Sequence, residues 1–246
     1  MHPLPADGPD RPVPAARSRR AAKPHAVEAL LRDLGSSLRR GHELARPVTM
    51  GPATGLHAID RLLGGGFPCG HLSEITGPTS AGRTSLAQGL LVRTTRRGEL
   101  AALVDPADAF DPPSAIRAGV ALERVLWARA PALKPALRCT QRLLETRGFS
   151  LVLLDLAHCE DPIAQASWIR FARLAAENRK TLVLLSRKRL AGTHATLTLG
   201  LQATRARFVG SPSLLHLLEG EACVLRHRQM PFESQAPARF TRFPTA

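Results

Sequence analysis

Five short runs of apolar residues, separated by segments with helical periodicity, mark the central part of the chain. The runs cover residues 72–76, 100–104, 125–128, 151–154 and 182–185. Because their apolar residues are continuous rather than alternating with polar ones, they predict strands buried on both faces. Helices are predicted between them, near residues 84–97, 113–119, 134–147 and 162–177. Asp161 and Pro162 supply a cap and a first turn for the last helix. This alternation predicts an α/β fold with a mainly parallel central sheet.

Two later segments, residues 196–209 and 214–229, are rich in β-forming residues and flank a Gly-Ser-Pro-Ser turn. They predict an antiparallel extension at the C-terminal side of the sheet. Composition and periodicity together also predict the domain boundaries. We expect a disordered basic and Pro-rich tail, a helical arm with its linker, the α/β core and a C-terminal tail, at residues 1–24, 25–47, 48–235 and 236–246 respectively.

The arm carries a stripe of apolar residues at helical spacing. The stripe consists of Val27, Leu30, Leu31, Leu34 and Leu38. Since a polar linker that contains Pro separates the arm from the core, this amphipathic helix can pack on a neighbouring molecule. The alternative is that it packs on its own domain.

A loop bounded by glycines follows the first apolar run and leads into the first predicted helix of the alternation. It reads Gly77, Pro78, Thr79, Ser80, Ala81, Gly82, Arg83, Thr84 and Ser85. A phosphate-binding loop has the pattern Gly-x-x-x-x-Gly-Lys-Ser/Thr, in which backbone N–H groups and the Lys contact phosphates and a hydroxyl ligates Mg²⁺. Arg83 stands at the Lys position, and its planar guanidinium is bulkier than an ammonium. The loop is predicted to keep phosphate binding and to lose hydrolysis; a Gly-rich turn without a ligand is the alternative.

Charge and composition add a possible class of partner. The chain of 246 residues carries a net charge of +14, which favours contact with a polyanion such as DNA. Aromatic residues make up only 4%, so few side chains can stack on single-stranded bases. The four Cys residues lie far apart, without a metal or disulfide pattern. No apolar stretch is long enough for a membrane span, and we expect a cytoplasmic protein with no metal site and no membrane contact.

The order of these pieces resembles the ATPase core of bacterial RecA recombinase. The resemblance runs from Thr54 and Gly55 through the triple-glycine turn, the phosphate loop and residues 104–112, then through a Walker B strand that ends at Asp155, and on to Arg187. It covers roughly residues 26–235 and implies a RecA-like phosphate-loop core. We expect no equivalent of RecA's separate C-terminal domain.

Three positions depart from the RecA pattern. Arg83 replaces the loop Lys, and Arg187 replaces a Gln that senses the γ-phosphate. Ala107 stands where RecA has the Glu that activates the attacking water. Loss of a general base alone typically costs about 10²–10⁴ in rate. The resemblance therefore implies a degenerate ATPase without catalytic residues, in which Asp108 is the nearby carboxylate that could replace the base.

Other RecA features are kept or shortened. Thr84 and Asp155 can still hold Mg²⁺ and ATP, although no cofactor is required by this interpretation. The two DNA-binding loops of RecA are both shortened here. Basic charge remains after the last apolar run and can contact DNA phosphates, through Arg187, Lys188 and Arg189. A solvated loop is the alternative.

A RecA-like core with a helical arm, changed catalytic positions and short DNA loops is similar to the ImuA family of RecA-like or SulA-like accessory proteins. That resemblance implies a factor of DNA-damage-induced (SOS) mutagenesis, acting in translesion synthesis with an ImuB-type Y-family polymerase homologue and an error-prone C-family polymerase. RecA is a further expected partner. The contact surface would be the arm together with Arg226 and Arg228, which match a spaced Lys pair at RecA's subunit interface. Ordinary outward charges on a strand are the alternative for these two arginines.

Three functions are therefore compared. The first is a non-catalytic scaffold in translesion synthesis. The second is a weak DNA-stimulated ATPase or recombinase paralogue, which requires another group to replace the missing base. The third is a cell-division inhibitor of the SulA type, for which the phosphate loop of this chain has no evident use.

Overall fold

The computed structural model describes residues 49–210, 214–228 and 237–242 together with Glu28 and Arg32, and gives only the backbone for residues 214–218, 241 and 242. Contacts divide the chain into one unit over Met1–Pro47 and a second over Val48–Ala246. Within the first unit, Glu28 and Arg32 are helical and exposed. The predicted tail and the apolar stripe of the arm lie outside the described residues, and the predictions for them stay predictions.

The second unit alternates helices and strands in the predicted order. Its helices are α1 (His57–Leu62), α2 (Arg83–Arg96), α3 (Pro112–Ala118), α4 (Leu133–Glu145) and α5 (Gln165–Glu177). Its strands are β1 (Leu72–Thr76), β2 (Leu100–Val104), β3 (Val125–Ala128), β4 (Phe149–Asp155), β5 (Thr181–Ser186), β6 (Leu197–Val209), β7 (Leu214–His227) and β8 (Ala238–Arg242). Short 3₁₀ helices cover Leu122–Arg124 and Gly192–His194.

The eight strands form a single sheet in the order β3-β2-β4-β5-β1-β6-β7-β8. All pairs from β3 to β6 are parallel, and the pairs β6–β7 and β7–β8 are antiparallel. The predicted fold class, a mainly parallel α/β sheet with an antiparallel extension at its C-terminal side, is confirmed. The extension starts one strand later than the sequence analysis placed it, because β6 itself runs parallel to β1.

A hydrophobic core lies on each face of the sheet. On one face, α1 and α2 pack against the strands through Ile59, Leu86 and Leu90. On the other face, α4 and α5 pack through Leu144 and Phe171. Successive residues of β4 alternate between the two cores, with Leu151 and Leu153 on the α2 side and Val152 and Leu154 on the other. Burial on both faces explains why these strands read as continuous apolar runs.

Two predictions about individual elements, the burial of β3 and the first residue of α5, are wrong. The strand at residues 125–128 is not buried on both faces: Leu126 is 48% exposed because β3 lies at the edge of the sheet. The last predicted helix starts at Gln165 rather than at Pro162, and its cap position is Ala164, without a side-chain hydrogen bond. Ile163 packs against the core on the α5 face, and residues 161–164 are not helical.

The segment predicted as a C-terminal tail contains β8. Residues Ala238–Arg242 pair with β7 and extend the sheet. Phe240 is 5% exposed, and its ring lies so close to Gly220 that a side chain there would overlap it. The boundary at residue 236 is therefore corrected, because a long-range contact with a glycine anchors a segment that is unremarkable in sequence. No helix among the described residues is long and apolar enough to cross a membrane.

Candidate phosphate-loop site

The candidate site lies where the carboxyl ends of β1, β2, β4 and β5 meet. Parallel strands present these ends at one edge of the sheet, which is where ligands bind in open α/β folds. A cavity of about 150 Å³ opens there between α2 and the strands. Its polar lining comprises Thr79, Ser80, Arg83, Thr84, Gln88, Asp105, Asp155 and His158. The retained positions Thr84 and Asp155 thus share one cavity with Arg83, whereas the other two changed positions, Ala107 and Arg187, lie outside its lining.

The backbone of the loop is shaped as a phosphate cradle. Gly82 has a φ of 95° and occupies the N-cap of α2 without a side-chain hydrogen bond. Ser80 also has a positive φ, of 64°. Gly77 lies against the carbonyl oxygen of Leu201, where a Cβ would overlap it. A helix amino terminus without a side-chain cap has backbone N–H groups that are free to donate hydrogen bonds to an anion. This end of α2 therefore suits a phosphate.

The guanidinium of Arg83 does not line up with these N–H groups. Its Nη1 donates hydrogen bonds to the carbonyl oxygens of Gly77 and of Ser186, the latter at 2.8 Å. The residue is only 9% exposed, and burial lowers the pKa of its guanidinium, against the opposing effect of Asp155. Arg83 therefore ties the first residue of the loop to the end of β5. The charge at the Lys position is directed into the sheet edge.

Two carboxylates lie at the floor of the cavity. Asp105 is 2% exposed, and its Oδ2 accepts hydrogen bonds from the N–H of Phe110 at 2.9 Å and from Nε1 of Trp127 at 3.3 Å. Asp155 accepts from the N–H of Ala157 at 2.9 Å through Oδ1. Burial raises the pKa of Asp155, and the neighbouring Asp105 adds to this increase.

Together with the Thr84 hydroxyl, these carboxylates offer oxygen ligands of the kind that Mg²⁺ takes alongside a substrate phosphate. Among the described residues, no group of three or more His, Cys, Asp or Glu side chains is placed to hold a metal ion. The residues fit a magnesium ion that is held partly by phosphate oxygens. The site thus offers a bound polyphosphate the backbone N–H groups of the loop and, through the metal ion, the oxygen ligands of the side chains. The Arg83 guanidinium, by contrast, is already bonded to two carbonyl oxygens.

The segment after β2 places neither Ala107 nor Asp108 in the lining of the cavity. Ala107 is exposed and has no proton acceptor. Asp108 has a φ of 54° and turns toward β3, where its Oδ1 accepts a hydrogen bond from Nε of Arg129 at 2.6 Å. Arg129 also stacks over the ring of Trp127, at 5.1 Å from the centroid. The hydrogen bond from Arg129 holds the pKa of Asp108 below its usual range. Asp108 lies outside the cavity lining, which this segment contributes through Asp105, Ala109 and Phe110.

The basic cluster after β5 lies between two residues that bond to Glu74, a residue that the sequence analysis missed. Arg187, Lys188 and Arg189 are all exposed. Glu74, fully buried in β1, accepts hydrogen bonds through Oε1 from Oγ of Ser186 at 2.9 Å and from the N–H of Leu190 at 2.7 Å. Its Oε2 is buried without a hydrogen-bond partner, and burial raises its pKa. A lone Glu inside an apolar strand was the available signal for this role.

Arg226 and Arg228 both bond to their own chain. Nε of Arg226 donates to the carbonyl oxygen of Ala195 at 3.2 Å, and Nη2 of Arg228 donates to that of Thr193. Both acceptors flank or belong to the 3₁₀ helix Gly192–His194. The two side chains thus brace this helix within one molecule, and their expected role at an interface stays a prediction.

Comparison with known proteins places this geometry in a family. The RecA N-terminal domain family matches residues 26–166, more than half of the chain and all of the elements from α1 to β4. This chain belongs to that RecA family. The matched region includes the loop, the Asp105 segment and Asp155. It ends at residue 166, two residues into α5, so the rest of α5 and all strands from β5 onward lie outside it.

Individual relatives agree with this assignment. A RecA protein of Chlorobaculum parvum is 35% identical over 133 residues, which is 53% of this chain and 38% of that protein. A RecA protein of Thermus thermophilus is 35% identical over 141 residues, covering 56% of this chain and 41% of the relative. A RecA protein of Chloroflexus aurantiacus is 33% identical over 122 residues, covering 49% and 35%. The chain spans about two fifths of the length of the relatives it matches.

Proposed function

We propose that this RecA-family chain is a non-catalytic accessory factor of DNA-damage-induced mutagenesis, of the ImuA type. The observation that supports the non-catalytic part is the orientation of Arg83. Nη1 of its guanidinium is bonded to the carbonyl oxygens of Gly77 and Ser186, so this nitrogen is held by the fold and is not directed at a transferred phosphoryl group, although Arg83 lines the cavity.

The segment after β2 supports the same proposal. A general base must lie within hydrogen-bond reach of the water that it activates, directly or through one water. Ala107 cannot accept a proton, and Asp108 is paired with Arg129 at the edge strand. Recruitment of Asp108 would require this pair to break and a residue with positive φ to change conformation. Both changes act against turnover.

Partner binding then becomes the main activity. We propose that the chain binds an ImuB-type polymerase homologue, with RecA, an error-prone C-family polymerase and DNA as further partners in the cytoplasm. The expected contacts are the apolar stripe of the arm and the basic cluster Arg187, Lys188 and Arg189, which is exposed at the same sheet edge as the phosphate loop. ATP and Mg²⁺ can bind in this proposal without being required.

The decisive experiment measures ATP binding and phosphate release by the purified chain, with and without single-stranded DNA. The Thermus thermophilus relative serves as the positive control, and Asp155→Asn as the variant that disturbs the metal ligands. We expect no release above background in either condition, whether or not ATP binds. DNA-stimulated release that Asp155→Asn abolishes would contradict the proposal.

Partner binding needs its own measurement. Titration calorimetry with an ImuB-type homologue and with RecA is compared between the full chain and a chain lacking residues 26–40. We expect the deletion to weaken binding of at least one partner by tenfold or more. Unchanged affinity for both would exclude the arm as the interface, and absence of binding by the full chain would contradict the scaffold role.

A weak DNA-stimulated ATPase is the second candidate, and one observation favours it. Thr84, Asp105 and Asp155 line the same cavity as the uncapped amino end of α2, so the phosphate and metal ligands are assembled. The phosphate-release experiment separates this candidate from the first, because only a working site loses activity when Asp155 is replaced.

A further inference from the structure

A second concave surface lies on the face of the sheet opposite α2. It is a groove between α4 and α5, with a volume of about 310 Å³. On α4 the groove is lined by residues at positions i, i+3, i+4 and i+7, which form one face of a helix. These residues are Lys134, Leu137, Arg138 and Gln141, and they meet Ser167, Arg170 and Phe171 of α5. We call this surface the α4–α5 groove.

The floor of the α4–α5 groove is apolar. Leu137 is half-buried, and Phe171 is only 2% exposed, so its ring supports the floor from below. A shallower depression of about 280 Å³ continues along α5 past Arg170. It is lined in part by Ile169, whose side chain is 55% exposed. Exposed apolar surface framed by polar residues is a common feature of protein-binding sites.

The rim of the groove is basic. Lys134, Arg138 and Arg170 are exposed along it, and Arg173 borders the shallower depression. Arg170 donates to Oε1 of Gln141 at 3.0 Å, which bridges the two helices, and Arg173 lies 3.6 Å from Glu177. Within the described part of the chain, Lys134 and Arg138 have no ion pair. Lys134 and Arg138 therefore present positive charge that no acidic side chain of the described residues neutralises through an ion pair.

We propose that the α4–α5 groove binds an acidic, amphipathic peptide segment of a partner protein. The apolar side chains of the segment cover Leu137 and Ile169, and its carboxylates pair with Lys134, Arg138 and Arg170. Arg is well suited to such contacts, because its planar fork binds a carboxylate through two parallel hydrogen bonds. An amphipathic helix lying in a groove is a recurrent mode of peptide recognition. This surface is separate from the phosphate loop, so the proposal does not depend on the fate of ATP.

Two other occupants fit the groove less well. Nucleic acid would match the charge, but the aromatic ring of the groove, Phe171, is buried and cannot stack on a base. The arm of a second copy would match the apolar floor. However, its residues 26–40 contain Arg32, Arg39 and Arg40 against Glu28 and Asp33, so a basic arm would meet a basic rim. An acidic segment satisfies both the floor and the rim.

The test uses a phage-displayed library of random 16-residue peptides selected on the full-length chain. Selected peptides are then synthesised with a fluorescent label, and their Kd is measured by anisotropy. The charge variant is Arg138→Glu with Arg170→Glu. The matched control is Arg142→Glu, a residue of α4 outside the groove whose side chain is 84% exposed. We expect peptides rich in Asp and Glu with Leu, Ile or Phe at spacings of three or four, and at least tenfold weaker binding to the charge variant only.

A measurement on the unaltered chain guards against a variant that misfolds. Hydrogen exchange should slow in α4 and α5 when the selected peptide is added, and should stay unchanged in α2. Failure to select peptides, equal affinity for the charge variant, or protection elsewhere would overturn the proposal. A 20-nucleotide DNA that loses affinity for the charge variant, while the peptides do not, would assign the groove to nucleic acid instead.

Discussion

The phosphate loop after β1 and the segment after β2 lie side by side at one edge of the sheet, yet they differ in what has been kept. The loop retains its backbone, with Gly82 in the left-handed region and the amino end of α2 uncapped. The segment after β2 retains Asp105 at the floor of the cavity, but Asp108 points toward Arg129 at the sheet edge. The loop thus has a backbone shaped for a phosphate, whereas the neighbouring segment brings Asp105 as its one carboxylate into the cavity lining.

This contrast separates two kinds of constraint. The loop backbone connects a buried strand to a buried helix, so a change of its path would disturb the core that Leu86 and Leu90 form. A catalytic carboxylate at an exposed position has no such packing role and can be replaced without loss of stability. The path of the loop is therefore expected to depend on packing, and Arg83 contributes by bonding Gly77 of the loop to Ser186 of β5.

The first prediction tests whether Arg83 is structural. Arg83→Met removes the two hydrogen bonds that Nη1 donates and leaves the carbonyl oxygens of Gly77 and Ser186 without this partner. We expect the free energy of unfolding to fall by about 3 kcal/mol, since hydrogen bonds from charged groups contribute about 1.5–3 kcal/mol each and the methionine recovers part through packing. Urea denaturation measures this, with the exposed Arg97→Met as the control. Equal stability of the two variants would refute the structural role.

Lys180 is a second buried cation that donates to two carbonyl oxygens, and it lies away from the candidate site. It is 3% exposed, and its Nζ donates to the carbonyl oxygens of Leu143, at 2.7 Å, and Thr146, at the end of α4. We expect Lys180→Met to lower the free energy of unfolding by about 2 kcal/mol, because the last carbonyls of α4 lose their cap. The exposed Lys188→Met is the matched control in the same denaturation series. A loss no larger than that of the control would mean that burial of an ammonium offsets its hydrogen bonds.

The third prediction concerns pH and Glu74. Burial raises its pKa in the folded chain above the ordinary value of 4.5, so the folded state binds a proton more strongly than the unfolded state. Stability is therefore lost as the pH rises above 4.5 and through the raised pKa. Glu74→Gln keeps an acceptor for Ser186 and Leu190 and removes the buried charge.

We expect Glu74→Gln to be more stable than the parent at pH 8, because the variant has no carboxylate to bury in its ionised form. The difference should shrink toward pH 4.5, where the parent carboxyl is also protonated in the folded state. Thermal denaturation at several pH values measures both effects. A variant that is less stable at pH 8 would show that the ionised carboxylate is needed to hold the loop after β5.

The smallest effect is expected at Asp108. Since its carboxylate is exposed and pairs with Arg129 outside the cavity, Asp108→Asn should leave ATP binding and phosphate release unchanged. Stability should change little, because exposed ion pairs contribute little. Asp108→Asn is compared with Asp155→Asn in the same ATP-binding assay. If the parent hydrolyses ATP and the Asp108 variant does not, Asp108 acts as a replacement base. The segment after β2 would then contribute a catalytic carboxylate, contrary to the difference described between the two segments.

Much of the architecture was predictable from local pattern. The predicted bounds of β1, β2, β4 and β5 agree with the structure to within two residues at each end. Continuous apolar residues mark β2, β4 and β5, as expected of strands buried on both faces, whereas β1 is equally buried and carries Ser73, Glu74 and Thr76. Glycines with positive φ marked the phosphate loop and the turn after α1. The family resemblance followed from the order of these motifs, and the match to the RecA N-terminal domain confirms it at that level.

Other features depend on contacts between residues far apart in the chain. The exposure of β3 follows from its edge position, β8 is anchored by the contact of Phe240 with Gly220, and Asp108 turns toward Arg129 on a neighbouring strand. The direction of Arg83 is set by the carbonyl oxygen of Ser186, a partner 103 residues away. Residue type and spacing specify periodicity, turns and the presence of charge. The partner that each charge meets is specified by which strands the sheet brings together, and this decides whether a cation at a loop faces a ligand or the fold.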